Sequence, residues 1–169
     1  MPKLYHLSCL LPAALVLGCS SRPPIYINEF MADNEDIVAD GATGEYLDWI
    51  ELYNGGDELL LLDGFYLTDT LDNPTQQALS GRLAIDAGGY LLLWASQDVA
   101  DDPTHLNFAL ARDGEQLGLF WEDTATGNLL QLDAIAYDQQ RTDVSMARDE
   151  DGIGAWIYQD SPTPGTGNE

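Results

Sequence analysis

The sequence predicts an all-β domain that folds as a sandwich or a barrel. Apolar and polar side chains alternate with a period of two along residues 49–53, and residues 90–95 are apolar on both faces, as a central strand would be. Glycine and asparagine residues that favour turns separate these runs from their neighbours. No run keeps a helical period over a dozen residues, so helices are not expected. Many short strands without helices are typical of sandwiches and barrels.

Eleven strands are predicted from residue 25 onward. They cover residues 25–31, 48–54, 58–62, 64–68, 82–85, 90–95, 108–111, 116–122, 129–137, 144–148 and 156–158. The turns between them fall at glycine-containing segments, namely residues 54–56, 63–64, 88–89, 113–114, 127–128 and 151–152. Once an export segment is set aside, about 150 residues remain, which is the size of one domain. We therefore expect a single domain over residues 25–169.

The N-terminus has the features of an export signal. Lys3 is the basic residue of a short leading region, and residues 7–17 form an apolar run that is shorter than the roughly 20 residues of a membrane-spanning helix. The run ends in Val16-Leu17-Gly18-Cys19, which resembles the lipobox of bacterial lipoproteins. The resemblance implies that residues 1–18 are a lipoprotein signal peptide, that Cys19 is lipidated, and that residues 19–24 form a tether.

An ordinary secretory signal with an incidental cysteine is the alternative interpretation. Ser20, rather than an aspartate, follows Cys19 and resembles the sorting pattern for an outer membrane. We therefore expect a lipid-anchored protein of the bacterial cell envelope, at the outer membrane or the cell surface. Cys9 lies inside the apolar run and would be removed with it, which leaves Cys19 as the single thiol and permits no intramolecular disulfide.

The charge of the chain excludes one class of partner. The chain holds six basic and 29 acidic residues, and only Lys3 among the charged residues precedes Cys19. Five arginines against 29 carboxylates give the remainder a formal charge of −24. Such a surface repels phosphate backbones and anionic headgroups, so nucleic-acid binding is not expected. Membrane contact is expected from the acyl chains alone.

Several ordered motifs resemble the bacterial branch of the lamin tail domain family. They are Ile27-Asn28-Glu29-Phe30-Met31-Ala32, Asp48-Trp49-Ile50-Glu51-Leu52-Tyr53-Asn54, Leu62-Asp63-Gly64-Phe65-Tyr66-Leu67-Thr68-Asp69, and near the end Arg148, Asp151-Gly152, Trp156 and Thr163-Pro164-Gly165 with Asn168. The resemblance extends from Ile25 to Asn168. It implies an immunoglobulin-like β-sandwich, a fold that hosts binding and structural roles far more often than catalysis.

No enzyme activity, catalytic residue or small-molecule substrate is predicted. His105 is the single histidine left after removal of the signal peptide, and its acidic, proline-containing surroundings predict a solvent-facing loop position. Carboxylates are too abundant for any one pair to indicate a glycosidase. The four tryptophans lie beside alternating apolar residues, so packing in or near the core is expected rather than a role as sugar platforms: Trp49, Trp94, Trp121 and Trp156.

Calcium is the one cofactor that the sequence makes it necessary to consider. Acidic side chains cluster in four predicted loops, at residues 33–40, 69–73, 98–102 and 149–152. None of these clusters fits an EF-hand loop, so no metal ligand is assigned and solvated acidic loops are the main interpretation. No other cofactor is expected.

The leading hypothesis is a non-catalytic interaction or structural module at the bacterial cell envelope, with a protein or glycan of the envelope or the extracellular space as its partner. The alternative is a calcium-dependent adhesion or glycan-binding β-sandwich. A third hypothesis, a hydrolase, requires a cleft with convergent ionisable groups.

Overall fold

The computed structural model describes residues 22–97 and 102–168, and none of these residues lies in a helix. The predicted all-β class is therefore confirmed. The strands are β1 (Ile25–Met31), β2 (Trp49–Asn54), β3 (Leu60–Leu61), β4 (Phe65–Thr68), β5 (Gln77–Ala78), β6 (Ala84–Ile85), β7 (Tyr90–Trp94), β8 (Gly114–Asp123), β9 (Asn128–Asp138), β10 (Ser145–Arg148) and β11 (Trp156–Gln159).

The strands form two main sheets in a sandwich-like arrangement, with a small third sheet. One main sheet has five strands in the order β11-β10-β1-β2-β7, the other has four in the order β5-β4-β8-β9, and β3 pairs with β6. All of these pairings are antiparallel. In such a fold each sheet buries one face, which explains the alternating pattern of the sequence.

The main core lies between the two large sheets. Ile27, Ile50 and Leu52 contribute to it from the five-stranded sheet, and Leu67 and Leu119 contribute from the four-stranded sheet. All five side chains are fully buried. Burial of a side chain of this size contributes about 1.5–3 kcal/mol, so the alternation along these strands is the main source of stability.

A second, smaller apolar cluster lies on the opposite face of the five-stranded sheet. It contains Met31, Trp49 and Trp94, with Val38 and Leu47 packed against it. Because neighbouring residues of a strand point to opposite faces, Trp49 faces away from the main core while Ile50 faces into it. The loop after β1 therefore covers this part of the sheet.

Two local predictions differ from the structure. Residues 108–111 are not a strand, although the side chains of Phe108 and Leu110 are buried. Their backbone is held by single contacts, such as the hydrogen bond from Gln97 N to Phe108 O. The apolar pattern therefore reflects buried side chains in a segment that has no partner strand. The short strand β5 was not predicted because its two residues carry no alternation, and it forms through pairing with Tyr66 and Leu67.

An ion pair joins the two large sheets. Arg148 Nη2 on β10 donates to both carboxylate oxygens of Asp133 on β9 at 2.8 Å, and both side chains are only 12% exposed. Arg148 Nε also donates to Ile27 O, and Ile27 N donates to Asp133 Oδ2, each at 3.0 Å. The guanidinium lies 4.6 Å above the ring of Trp156. The pair therefore fastens the central strand β1 to the edge of the other sheet.

Replacing Arg148 with methionine should lower the free energy of unfolding by about 3 kcal/mol, because Asp133 would remain buried without its cation. Chemical denaturation of the domain would measure this change. Arg141→Met is the matched control, because Arg141 likewise lies over an aromatic ring, that of Tyr158. Its ion pair with Asp160 is exposed, with side-chain exposures of 54% and 80%. The control should change stability by less than about 1 kcal/mol. Equal losses of unfolding free energy in the two variants would contradict the stabilising role given to the Arg148–Asp133 ion pair.

Candidate functional site

Two carboxylates are buried side by side on the outer face of the five-stranded sheet. Glu29 on β1 and Glu51 on β2 are register partners, and both are 0% exposed. Glutamate is almost never fully buried unless it is paired or hydrogen-bonded, because desolvation of a carboxylate is costly. The hydrogen bonds around this pair therefore determine how the sheet is covered.

The C-terminal segment supplies several of the donors. Glu29 accepts hydrogen bonds from Ser145 Oγ, from Thr163 N at 3.2 Å and from Thr163 Oγ1 at 3.0 Å. Glu51 accepts one from Asn28 Nδ2 at 3.0 Å and one from Gly165 N at 2.5 Å. The carboxylates and the C-terminal segment thus satisfy each other.

Asn28 connects this pair to a third acid, Asp151. The Asn28 amide also donates to Asp151 Oδ1 at 3.0 Å and accepts from Gly152 N at 2.9 Å. Asp151 accepts further bonds from Tyr90 Oη at 2.6 Å and from Asn168 N at 3.0 Å. We refer to Asn28, Glu29, Glu51, Asp151, Thr163 and Asn168 as the polar centre.

The polar centre shifts the pKa values of its acids in opposite directions. Burial raises the pKa of Glu51 to about 8, and the charge of Glu29 adds to this rise. The hydrogen bonds from Asn28 and Gly165 act in the opposite direction and lower the pKa in part. Burial also raises the pKa of Glu29. Burial opposes ionisation of Asp151 as well, yet the hydrogen bonds from Tyr90, Asn168 and Asn28 outweigh it and lower the pKa of Asp151.

These groups were missed as a site by sequence reasoning, which contained Glu29 and Glu51 only as parts of family motifs. The alternation places Glu51 opposite Ile50 and Leu52, which predicts an outward position but not that the outer face is covered. Two fully buried carboxylates are not open to a substrate in this arrangement. Their hydrogen bonds attach the C-terminal segment to the sheet, so the polar centre is a structural element.

The stability of the domain should fall as the pH rises from about 5 to 8. A carboxyl group with a raised pKa binds more protons in the folded state, so its contribution to stability is complete below its unfolded pKa and is lost as the pH passes the folded value. For Glu51 this loss extends from the ordinary value of 4.5 to about 8. Groups with lowered pKa values, such as Asp151, act with the opposite sign at more acidic pH.

Glu51→Gln should flatten this dependence. The difference in free energy of unfolding between the unmodified domain and the variant should change with pH. Its slope should approach about 1.4 kcal/mol per pH unit between the ordinary and the raised pKa of Glu51, as expected for about one proton. Urea denaturation at several pH values would measure it. Glu58→Gln, at an exposed position, is the matched control and should leave the slope unchanged. A pH dependence of Glu51→Gln identical to that of the unmodified domain would show that Glu51 does not titrate there.

The prediction that His105 is a solvent-facing loop residue is wrong. His105 is only 8% exposed, and Ser96 Oγ lies 3.0 Å from its Nδ1. Its Nε2 lies 3.6 Å from Asp40 Oδ2, and Asp40 already accepts hydrogen bonds from Ala42 N, Thr43 N and Thr43 Oγ1. A serine, a histidine and an aspartate are thus brought together. The Asp40 oxygen lies beyond hydrogen-bond distance of the ring. The contacts of His105 form a bridge between the loop after β1 and the loop after β7.

The acidic loops use several of their carboxylates to stabilise their own turns. Asp102 accepts hydrogen bonds from Thr104 N at 2.9 Å and Thr104 Oγ1 at 2.7 Å, and Asp149 accepts one from Ala155 N at 2.7 Å. The Thr104 bonds lower the pKa of Asp102. These oxygens are therefore occupied within the protein.

A calcium site stays a prediction. Within residues 22–97 and 102–168, no group of three or more histidine, cysteine, aspartate or glutamate side chains is arranged to hold a metal ion. Two members of one predicted cluster, Asp98 and Asp101, lie outside the described residues.

Calcium and magnesium at equal ionic strength should raise the melting temperature by the same amount. The reason is that a chain with a formal charge of −23 gains stability from any divalent cation, because the cation reduces its self-repulsion. Thermal unfolding after chelator treatment, with sodium chloride as the ionic-strength control, would measure this. A saturable shift specific to calcium would instead indicate a folded site through linkage.

The tryptophans occupy the packing positions that the sequence predicts. Trp49 is 0% exposed and Trp94 is buried beside it. Trp121 and Trp156 are half-buried and pack against the main core, where Trp156 meets Phe30 edge-on at 5.6 Å. The expectation of core or near-core packing is confirmed for all four.

The predicted lipidation site, Cys19, lies outside the described residues. The description of the chain begins at Arg22, and β1 begins at Ile25. Within the described ranges, no helix has the length and hydropathy needed to span a membrane.

The described fold is an immunoglobulin-like β-sandwich in which Glu29 and Glu51 are fully buried and hydrogen-bonded. The chain belongs to the lamin tail domain family, whose model matches residues 19–144. No match was found among curated proteins or among solved structures.

The matched range ends directly before β10, which begins at Ser145. It therefore includes Glu29 and Glu51 but not Thr163, Gly165 or the other C-terminal residues that cover them. The family is one of β-sandwich interaction modules, and this supports a non-catalytic role for the chain.

Proposed function

We propose that this protein is a lipid-anchored interaction or structural module of the bacterial cell envelope. Residues 1–18 would direct export, Cys19 would carry the lipid, and residues 19–24 would tether the domain at the outer membrane or the cell surface. The partner would be a protein or glycan of the envelope or the extracellular space. The proposal rests on membership of the lamin tail domain family together with the N-terminal lipobox-like sequence.

The observation that supports the anchor most directly is the position of Cys19 relative to the fold. Ile25, the first residue of β1, is fully involved in the sheet, since it pairs with Asn54 and is 1% exposed. A cysteine that follows an apolar run and precedes the folded domain by so few residues is where a lipid anchor would be placed.

The outer parts of the fold offer places for a partner. Within the described residues, β7 and β11 are the edges of the five-stranded sheet, and β5 and β9 are the edges of the four-stranded sheet. Exposed edges and loops of a rigid sandwich are common binding sites. The charge of −24 after residue 18 favours a neutral or cationic partner and disfavours nucleic acid.

Substitution of Cys19 by serine should abolish lipidation. In a bacterial host, the unaltered chain should be recovered without residues 1–18, with a mass increased by acyl groups, and in the detergent phase on phase partition. Cys19→Ser should lose both the mass increase and the detergent partition.

Cys9→Ser is the matched control, because Cys9 lies inside the apolar run and is removed with it; this variant should behave like the unaltered chain. If the unaltered chain is cleaved but carries no acyl group, the N-terminus is an ordinary secretory signal and the anchor is wrong.

A further inference from the structure

Three large apolar side chains are unusually exposed. Ile153 is 65% exposed, Leu59 58% and Leu61 57%, and each exceeds every other exposed large apolar side chain among the described residues. Single exposed leucines are common on protein surfaces, but a group gathered at one end of a molecule indicates a contact surface.

Leu59 and Leu61 lie at the end of the sandwich where the tether enters. The turn after β2 is bonded to the start of the described chain, since Gly55 N donates to Pro24 O at 2.8 Å. Asn54 Nδ2 donates to Glu58 O at 2.8 Å and so holds the segment that leads into β3 beside the same turn. Pro23, Pro24, Leu59 and Leu60 line a shared groove there.

Ile153 belongs to the same end. It lies in the turn between β10 and β11, and β10 runs antiparallel to β1, so that this turn falls beyond the Ile25 end of β1. Gly152 packs against Tyr26, close enough that an added Cβ would lie 2.7 Å from the ring. Tyr26 in turn is the second residue of β1. We refer to Leu59, Leu61 and Ile153 as the apolar rim.

The tether is too short to hold this end far from an anchor at Cys19. Two residues, Ser20 and Ser21, separate Cys19 from Arg22. An extended chain covers at most about 3.6 Å per residue, so the three steps from Cys19 to Arg22 span roughly 11 Å. Arg22 is followed directly by Pro23 and Pro24 of the groove. A lipid attached at Cys19 would therefore hold the apolar rim at the level of the lipid headgroups.

We propose that the apolar rim inserts into the interface of the bilayer that carries the anchor, so that the domain stands on the membrane by its tether end. This inference rests on the proposed lipidation of Cys19. The sequence alone predicts that only the acyl chains contact the membrane. The inference adds a contact made by the protein itself. Because two acyl chains on one residue already suffice for stable anchoring, this contact fixes the orientation of the domain on the bilayer.

The charge at this end selects the type of lipid. Asp57 and Glu58 precede Leu59, and Asp149 and Glu150 precede Ile153 in its turn. These carboxylates are repelled by anionic headgroups. The rim therefore fits a bilayer surface of zwitterionic lipids and disfavours one rich in anionic lipids.

The test uses the full-length, acylated protein in phosphatidylcholine vesicles. Leu59→Cys introduces a thiol at an exposed site, and it is the only free thiol because Cys9 is removed and Cys19 is acylated. An environment-sensitive fluorophore on this thiol should show a blue-shifted emission and should be quenched by a quencher attached to the lipid.

The matched control is Ile37→Cys, also at an exposed position but in the loop after β1. That loop lies about 20 Å along the strand from the tether end. Its fluorophore should show neither the shift nor the quenching. Replacing part of the phosphatidylcholine with phosphatidylglycerol should reduce quenching at position 59, and added salt should restore it.

Three results would overturn the inference, and each has a different meaning. A vesicle-bound, acylated protein whose label at position 59 remains in water would show that the rim does not touch the bilayer. A blue shift without quenching from the lipid would show that a second copy covers the rim. A mass without acyl groups would remove the proposed anchor together with the inference that depends on it.

Discussion

Burial of Glu29 and Glu51 is the constraint on which the rest of the structure depends. Two adjacent carboxylates on a sheet face can be removed from water only if donors reach them, and Thr163 and Gly165 are among those donors. The partners are more than a hundred residues apart in the chain, so these hydrogen bonds join the C-terminal segment to the first two strands. The raised pKa of Glu51 follows from the same burial.

The irregularity in β1 allows this strand to make contacts on two sides. The register with β2 shifts between Ile27 and Glu29, which sets Asn28 apart from the regular ladder. The Asn28 side chain can then bridge Glu51 and Asp151, while the backbone of Ile27 bonds to Arg148 and Asp133. A single extra residue in one strand thus supports both the polar centre and the connection between the sheets.

The features that the sequence predicted well are those determined by neighbouring residues. Alternation located β2, an uninterrupted apolar run located β7, and the motif at residues 27–32 located β1. Predictions failed where burial depends on distant segments: His105 is buried where Asp40, from the loop after β1, approaches it. The apolar pattern at residues 108–111 describes buried side chains correctly but not a strand, because no partner strand accepts its backbone.

The two ends of the sandwich differ in a way that bears on where a partner would bind. Pro23 and Pro24, the apolar rim and the turn after β2 share one end. The loop after Met31 and the His105 bridge lie at the other end, beside the Trp49 and Trp94 pairing. If an anchor at Cys19 holds the first end at the membrane, the second end is the part that meets other molecules first. The bridge from Asp40 to His105 then matters as a support for loops facing outward, because binding loops require a rigid base to limit the entropy lost on association.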